Sequence, residues 1–165
     1  MTVHEVEGLG VGGGPAGLAT AIAARLRGLE VDLLDRRSPP IDKPCGEGLM
    51  PSGIEALGEL GVSVEDLPGR SFEGIRYVDG DVSAEGRFEG GQGRGIRRLV
   101  LHRALVDRAL ELGVCCHWGV AVEKLETAGR DGCEVHSSAG DWRSRWVVAA
   151  DGLHSRLRAL LGLDG

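Results

Sequence analysis

The sequence of 165 residues has no apolar run long enough to span a membrane, and residues 1–12 have neither the basic start nor the apolar core of a signal peptide. We therefore expect a cytoplasmic protein with no integral membrane segment. Its basic residues are scattered and its net charge is −6, which argues against nucleic acid as a partner. The sequence also has no Cys-x-x-Cys pair, so we interpret its four cysteines as reduced thiols.

A zinc site is an alternative because histidines lie near some of the cysteines. The candidate ligands are Cys116, His117, Cys133 and His136. On a strand, Cys133 and His136 are three positions apart and point to opposite faces, which does not suit a shared ion. We predict no metal site.

What the sequence does contain is a glycine turn between a strand and a helix. The run Val-Gly-Gly-Gly-Pro-Ala-Gly at 11–17 follows a predicted strand over 3–11 and opens a helix that runs to Leu26 and stops at Gly28. Gly12 permits the tight turn, Gly14 lets a pyrophosphate approach the backbone, and Gly17 lets the helix pack closely on the sheet. This pattern predicts the first half of a dinucleotide-binding βαβ unit.

Two neighbouring residues strengthen that prediction. Pro15 suits the first helical turn, where its missing N–H has no intrahelical partner. Asp35 ends the next predicted strand, about 20 residues after the turn, where a carboxylate accepts hydrogen bonds from ribose hydroxyls. The unsatisfied N–H groups at the start of the helix would face the phosphates.

The rest of the chain alternates further elements. We predict a loop over 36–51, a helix from Ser52 to Gly61 opened by a Ser52/Glu55 capping box, and a hairpin of 71–78 and 82–88 around Asp79-Gly80. A glycine-rich connection over 86–95 leads to a helix from Arg98 to Gly113 and a strand over 114–118. Antiparallel strands over 120–125, 133–138 and 142–150, with turns at 129–132 and 139–141, form a meander whose last strand returns to the main sheet. A helix over 155–161 follows.

Two segments allow both a functional and a structural interpretation. Asp151-Gly152 follows the last strand, where open α/β sheets bind ligands, but Asp151 is equally suited to cap the last helix. The loop segment Lys-Pro-Cys-Gly-Glu-Gly at 43–48 has two glycines that would admit a ligand, and its composition is also that of an ordinary surface loop.

Taken together, four motifs in order resemble the amino-terminal part of an FAD-dependent oxidoreductase. They are the glycine turn with Asp35-Arg36, the segment 43–51, Arg98-x-x-Leu101-x-x-x-Leu105, and Ala150-Asp151-Gly152-x-His154-Ser155-x-x-Arg158. The family is the para-hydroxybenzoate hydroxylase-like superfamily, in the branch that includes geranylgeranyl reductases and related monooxygenases. The resemblance implies an α/β fold with a Rossmann-like FAD-binding parallel sheet and a small antiparallel meander.

The resemblance also implies roles for particular residues. Gly12, Gly14, Pro15, Ala16 and Gly17 would hold the FAD pyrophosphate, Asp35 the adenosine ribose, and Arg36 would lie near the adenine. Arg98 would approach the phosphate and ribityl region, Val122 would line the adenine through its backbone, Asp151 and Gly152 would lie near FAD, and Cys45 and Gly46 would approach the flavin and substrate side. No catalytic residue is predicted.

A third family motif, Gly-Asp followed by small residues, and the substrate domain are absent from these 165 residues. We therefore expect one FAD-binding domain over 1–165 that lacks its C-terminal part, with a missing domain or partner chain and a hairpin at about 71–90 that belongs to the start of the substrate region.

The function implied is that of a flavin-dependent monooxygenase or reductase. It would use NAD(P)H to reduce FAD and act on a small, apolar organic substrate, and the isolated fragment would be inactive. The alternative is a noncatalytic nucleotide-binding module, or a remnant without turnover. A nicotinamide dehydrogenase is disfavoured, because that fold does not require Arg98 or Asp151-Gly152.

Overall fold

The computed structural model describes residues 3–127, 129 and 132–163, so Arg130 and Asp131 of the predicted turn at 129–132 lie outside the described residues. The chain forms two units, one of residues 1–41 and 102–165 and one of residues 42–101. No helix in the described part of the chain has both the length and the apolar composition needed to cross a bilayer.

The elements follow one another in mixed order. The strands are β1 (Val3–Val11), β2 (Val31–Asp35), β3 (Gly48–Leu49), β4 (Arg70–Phe72), β5 (Gly74–Asp79), β6 (Val82–Arg87), β7 (Gly93–Gly95), β8 (Cys115–Trp118), β9 (Val122–Thr127), β10 (Cys133–Ser137) and β11 (Gly140–Ala149). The helices are α1 (Pro15–Arg25), α2 (Pro51–Glu59), α3 (Arg98–Glu111) and α4 (Arg156–Leu160).

The first unit is built on a six-stranded sheet in the order β8-β2-β1-β11-β10-β9. β8, β2, β1 and β11 are parallel, whereas β11, β10 and β9 form the predicted antiparallel meander. The α/β fold and the return of the last meander strand to the main sheet are therefore confirmed. Because β1 and β11 are parallel neighbours, the segments that follow them start at the same edge of the sheet.

The position of β1 in the sheet explains the charges that interrupt its sequence. β1 pairs with β11 along its length but with β2 only from Gly8 to Val11. Its first six residues alternate between exposed and half-buried, and its last three are buried. Glu5 and Glu7 thus occupy the half of the strand that lacks its second neighbour, and only the other half needs an apolar sequence.

Buried apolar residues form two groups in this unit. Helix α1 packs against β1 and β2 and buries Leu18, Ala21 and Ile22. Burial of each Leu or Ile side chain contributes about 1.5–3 kcal/mol to the free energy of folding. A second cluster joins the meander to the parallel strands and comprises Leu9, Val11, Leu34, Val120, Val122, Val135, Trp142 and Leu157.

The second unit contains a three-stranded antiparallel sheet, β3-β7-β4, and the separate hairpin β5-β6. The short strands β3 and β7 lie within the predicted loop and the predicted glycine-rich connection, so those two predictions were wrong at residues 48–49 and 93–95. Backbone pairing causes the difference, because Gly48 pairs with Gly95 and neither glycine has a side chain that patterning could detect.

Two boundaries in this unit also differ from expectation. The predicted strand over 71–78 is split between β4 and β5, which belong to different sheets, and Asp79 pairs with Val82, so the turn is Gly80-Asp81. Helix α2 begins at Pro51 after Met50, with no side-chain cap, so the Ser52 capping box was wrong. Proline already has a helical φ and needs no partner for an N–H, so it can begin the helix without a cap.

Candidate functional site

The glycine turn between β1 and α1 is so closely packed that side chains do not fit. Gly12 has φ of +114°, and a Cβ at this position would collide with the carbonyl oxygen of Ala150. A Cβ on Gly17 would collide with the carbonyl oxygen of Gly12 and lie 3.3 Å from the Cβ of Ala150. Gly17 is therefore required by the close approach of α1 to the turn itself as well as to the end of the sheet.

The N-terminus of α1 has no side-chain cap. Gly14 is the N-cap, with φ of −77° and ψ of 178°, Pro15 occupies the first turn, and no acidic residue lies in that turn. The exposed Ala16 follows. The first N–H groups of a helix lack intrahelical partners and carry the positive end of the dipole. This end of α1 is thus suited to an anion.

Asp35 supports the turn from the end of β2. Its Oδ2 accepts a hydrogen bond of 2.6 Å from the Gly13 N–H, and its Oδ1 accepts one of 2.7 Å from the Arg37 N–H. The side chain is half-buried, and its neighbour Arg36 is exposed. Each carboxylate oxygen can accept more than one hydrogen bond, so Asp35 can bind ribose hydroxyls while it holds Gly13.

Two further residues hold Gly13, and the sequence analysis missed both. His102 of α3 is 1% exposed, and its Nε2–H donates a 2.8 Å hydrogen bond to the carbonyl oxygen of Gly13. The Trp118 ring occupies the space that a side chain on Gly13 would need. The sequence did indicate that His102 is buried, because it shares a helix face with the apolar residues Leu105, Val106 and Ala109, which are buried.

Asp151 lies after β11, beside the glycine turn, and caps α4. Its Oδ1 accepts a 2.5 Å hydrogen bond from the Ser155 hydroxyl and its Oδ2 accepts one of 3.1 Å from the Leu157 N–H. Burial acts to raise the pKa of Asp151, but these hydrogen bonds outweigh it and the pKa lies below its ordinary value. The capping interpretation is confirmed, while a contact of Asp151 or of the exposed Gly152 with a cofactor stays a prediction.

The remaining predicted site residues lie elsewhere. Val122 is buried in the meander core, where its side chain packs with the cluster described above. Cys45, Gly46 and Arg98 belong to the second unit. There Glu47, at φ of 52°, accepts hydrogen bonds from the Ile96 N–H through its carbonyl and from the Arg98 N–H through Oε1. Glu47 thus ties the 43–48 segment to the start of α3, a role that the sequence analysis also missed.

The two histidines of the zinc alternative have other partners. His117 is paired with Asp32 at 2.8 Å and His136 with Asp141 at 3.0 Å. Burial, together with the charges of Cys115 and Asp32, raises the pKa of Cys116 to about 11, so its thiol stays protonated and is a poor metal ligand near neutral pH.

His136 also lies near two carboxylates on the meander. In the described part of the chain, Glu126, Glu134 and His136 form a group whose donor atoms lie within 4.8 Å of one another. Each carboxylate already has a cation beside it, Lys124 for Glu126 and Arg143 for Glu134. This group is therefore explained as part of a surface ion-pair network.

The first unit has the elements of a Rossmann-type dinucleotide-binding fold: a glycine turn, an uncapped helix and an acid at the end of the second strand. A family model described as FAD binding domain matches residues 5–165. The chain belongs to this FAD-binding family of oxidoreductases.

Known proteins agree with this assignment. The chain is 34% identical to 2-heptyl-3-hydroxy-4(1H)-quinolone synthase of Mycobacteroides abscessus, over 93% of this chain and 42% of that protein. It is 33% identical to digeranylgeranylglycerophospholipid reductase 1 of Methanopyrus kandleri, over 93% of this chain and 41% of that protein. The chain thus spans about two fifths of the length of these curated relatives.

The fold is also that of a solved monooxygenase. The crystal structure of p-nitrophenol 4-monooxygenase PnpA from Pseudomonas putida matches with a TM-score of 0.85 and 24% identity, over 98% of this chain and 44% of that one. The family model and the curated relatives together confirm the resemblance to FAD-dependent monooxygenases and geranylgeranyl reductases.

Proposed function

We propose that the chain is the FAD-binding part of a flavin-dependent monooxygenase or reductase that takes electrons from NAD(P)H and acts on a small, apolar organic substrate. The observation that carries the proposal is the uncapped N-terminus of α1, held beside Asp35 by the glycine turn. When bound, FAD supplies the redox chemistry, accepting hydride from a nicotinamide and passing electrons on.

The residues of the first unit suit the ADP half of that cofactor. The backbone N–H groups of the turn would bind the pyrophosphate, and Asp35 would bind the adenosine ribose. Arg36 and the backbone of Val122 would lie along the adenine, and Gly152, next to Asp151, would approach the cofactor through its backbone. The helix end and the carboxylate are the two groups that an ADP moiety needs.

For the second unit we propose contacts nearer the flavin. Arg98 would approach the phosphate and ribityl region, and Cys45 and Gly46 would face the flavin and substrate. The Arg98 Nε is buried and has no hydrogen-bond partner among the described residues, which supports a role for its guanidinium toward a ligand.

The proposal extends to the protein as a whole. Residues 1–165 would form the FAD-binding domain, the hairpin at 71–90 would open the substrate region, and further residues or a partner chain would complete the flavin site. Because its relatives are more than twice as long, we expect the 165-residue chain alone to bind FAD weakly and to show no NAD(P)H oxidation above that of free flavin. We also propose a cytoplasmic location.

Calorimetric titration with ADP and FAD tests the core of this proposal. We expect the 165-residue chain to bind ADP, and ADP to compete effectively with FAD, because the described contacts suit the ADP half. Gly14→Val, which puts a branched side chain where the backbone meets phosphate, should weaken both ligands by more than about tenfold and leave the far-UV circular dichroism nearly unchanged.

Three results would contradict parts of the proposal. Equal affinities of Gly14→Val and the parent would remove the turn from the site. No binding of either ligand would refute the dinucleotide site itself. A longer chain that includes the downstream residues and holds FAD, yet is not reduced by NAD(P)H, would favour a noncatalytic nucleotide-binding module.

A further inference from the structure

The second glycine of the turn, Gly13, is held on three sides by residues outside the glycine motif. Its N–H donates to Asp35 of β2, and its carbonyl accepts from His102 of α3. The Trp118 ring of β8 occupies its side-chain space. Because the His102 ring is buried and its bond to Gly13 is 2.8 Å long, the imidazole is held in place rather than in contact with solvent.

The two hydrogen bonds act on consecutive peptide groups. Asp35 holds the N–H of the Gly12–Gly13 peptide, and His102 holds the C=O of the Gly13–Gly14 peptide. In a planar trans peptide the C=O and the N–H point in opposite directions. The bond from His102 therefore directs the Gly14 N–H away from α3, toward the opposite edge of the peptide plane.

This orientation matters electrostatically. Gly14 is the N-cap of α1, so its N–H adds to the positive end of the helix. If the Gly13–Gly14 peptide were flipped, a carbonyl oxygen would replace that N–H on the ligand side, and its partial negative charge would repel a phosphate. A hydrogen bond from His102 opposes the flip, since a flipped peptide would leave a buried imidazole N–H without a partner.

We propose that His102 is a positioning residue for diphosphate binding, whose imidazole N–H fixes the Gly13–Gly14 peptide so that the Gly14 N–H faces the ligand phosphate. The proposal rests on the dinucleotide site proposed above and adds a residue from α3 to it. His102 itself does not touch the ligand.

The test compares ADP with adenosine, which lacks phosphate, on the 165-residue chain. His102→Leu removes the donor and keeps a buried apolar side chain. We expect its ADP affinity to fall about tenfold while its adenosine affinity is unchanged. His102→Gln, whose amide N–H can reach the same carbonyl, should retain most of the ADP affinity.

Val106→Ala is the matched control. Val106 is buried one turn further along α3, and its apolar side chain forms no hydrogen bond with the turn. We expect this variant to lower the melting temperature and to keep the ratio of ADP to adenosine affinity. A general loosening of α3 would instead change both variants alike.

The inference is overturned if His102→Leu keeps the parent ratio of ADP to adenosine affinity, or if His102→Leu and Val106→Ala lower it equally. If His102→Leu does not fold, His102→Asn replaces it, because the Asn amide is one methylene shorter than that of Gln and cannot reach the Gly13 carbonyl. An unchanged ratio of ADP to adenosine affinity in His102→Asn would then overturn the inference. A parent chain that binds no ADP refutes the dinucleotide site, and this inference with it.

Discussion

Helices α1 and α4 both follow parallel strands at the same edge of the sheet, but only the N-terminus of α4 has a side-chain cap. Helix α4 is capped by side chains: the Ser155 Oγ accepts from the Arg158 N–H, and the Asp151 carboxylate accepts from the Leu157 N–H and the Ser155 hydroxyl. Helix α1 begins at Gly14 and has no side-chain cap.

The comparison shows which helix end can serve a ligand. Every helix leaves its first N–H groups without intrahelical partners, and an uncapped end must find other acceptors. In α4 the protein supplies those acceptors. In α1 the side chains around the turn, Asp35 and His102, bind the backbone before the helix and leave its end open.

The largest predicted effect is a loss of ADP affinity when α1 is given a side-chain cap like that of α4. Gly14→Asp places a carboxylate at the N-cap, which should add a few tenths of a kcal/mol to stability and weaken ADP binding by about a hundredfold, because two anions would share one helix end. Titration calorimetry with ADP and thermal melts measure both effects.

Gly14→Asn is the matched control, since it caps equally well without the charge. We expect it to weaken ADP binding less than Gly14→Asp. If the two variants bind ADP equally, the charge of the capping side chain does not affect ADP binding. The contrast drawn between the ends of α1 and α4 would then be wrong.

Removing the cap of α4 should have an intermediate effect, on stability. Asp151→Ala leaves the Leu157 N–H and the Ser155 hydroxyl without their acceptor and should cost about 1 kcal/mol of stability. Chemical denaturation and ADP titration provide the measurements. A large loss of ADP affinity would mean that this carboxylate also serves the ligand.

The stability difference between the parent and Asp151→Ala should also depend on pH. Because the pKa of Asp151 is lower in the folded chain, its contribution is fully present above the unfolded-state value of about 4 and is lost as pH falls through the folded-state pKa. Denaturation curves of both proteins between pH 3 and 6 should converge toward the acid end. A constant difference would mean that capping does not depend on the charge.

The smallest predicted effect is the change in stability caused by substitutions in β1, the strand that leads into the turn. A Cβ on Gly8 would lie 3.5 Å from the Val31 Cγ2, an ordinary contact, so Gly8→Val should raise stability by about 0.5–1 kcal/mol. Gly10→Val is the contrast, because its Cβ would lie only 2.7 Å from the Cδ1 of the buried Leu33. Thermal melts that show both variants destabilised would mean that β1 needs glycine throughout.

Sequence reasoning succeeded where local chemistry decides the structure. The strand, turn and helix around Gly12 and the meander that returns to the main sheet all follow from periodicity and glycine placement. It failed where backbone pairing over long distances decides, as in the pairing of Gly48 with Gly95. Glycine strands have no side-chain pattern, so their partners can be found only in the folded chain.

The candidate site also contains residues that could be recognised from the sequence and residues that could not. Gly12, Gly17 and Asp35 were recognised because their spacing along the chain is set by one βαβ unit. His102 and Trp118 were not, because they reach Gly13 from α3 and β8, 89 and about 100 residues away in sequence.

The class of protein could be predicted from the sequence, because the glycine turn, the acid after the second strand and the later motifs are local patterns that occur together in dinucleotide-binding units. The different uses of the two acids could be seen only in the folded chain. Asp35 and Asp151 both follow parallel strands, but one carboxylate holds the Gly13 N–H and the other caps α4. The physical reason is that a carboxylate's role depends on which N–H groups the folded backbone brings within about 3 Å of it, and that distance is a property of the fold.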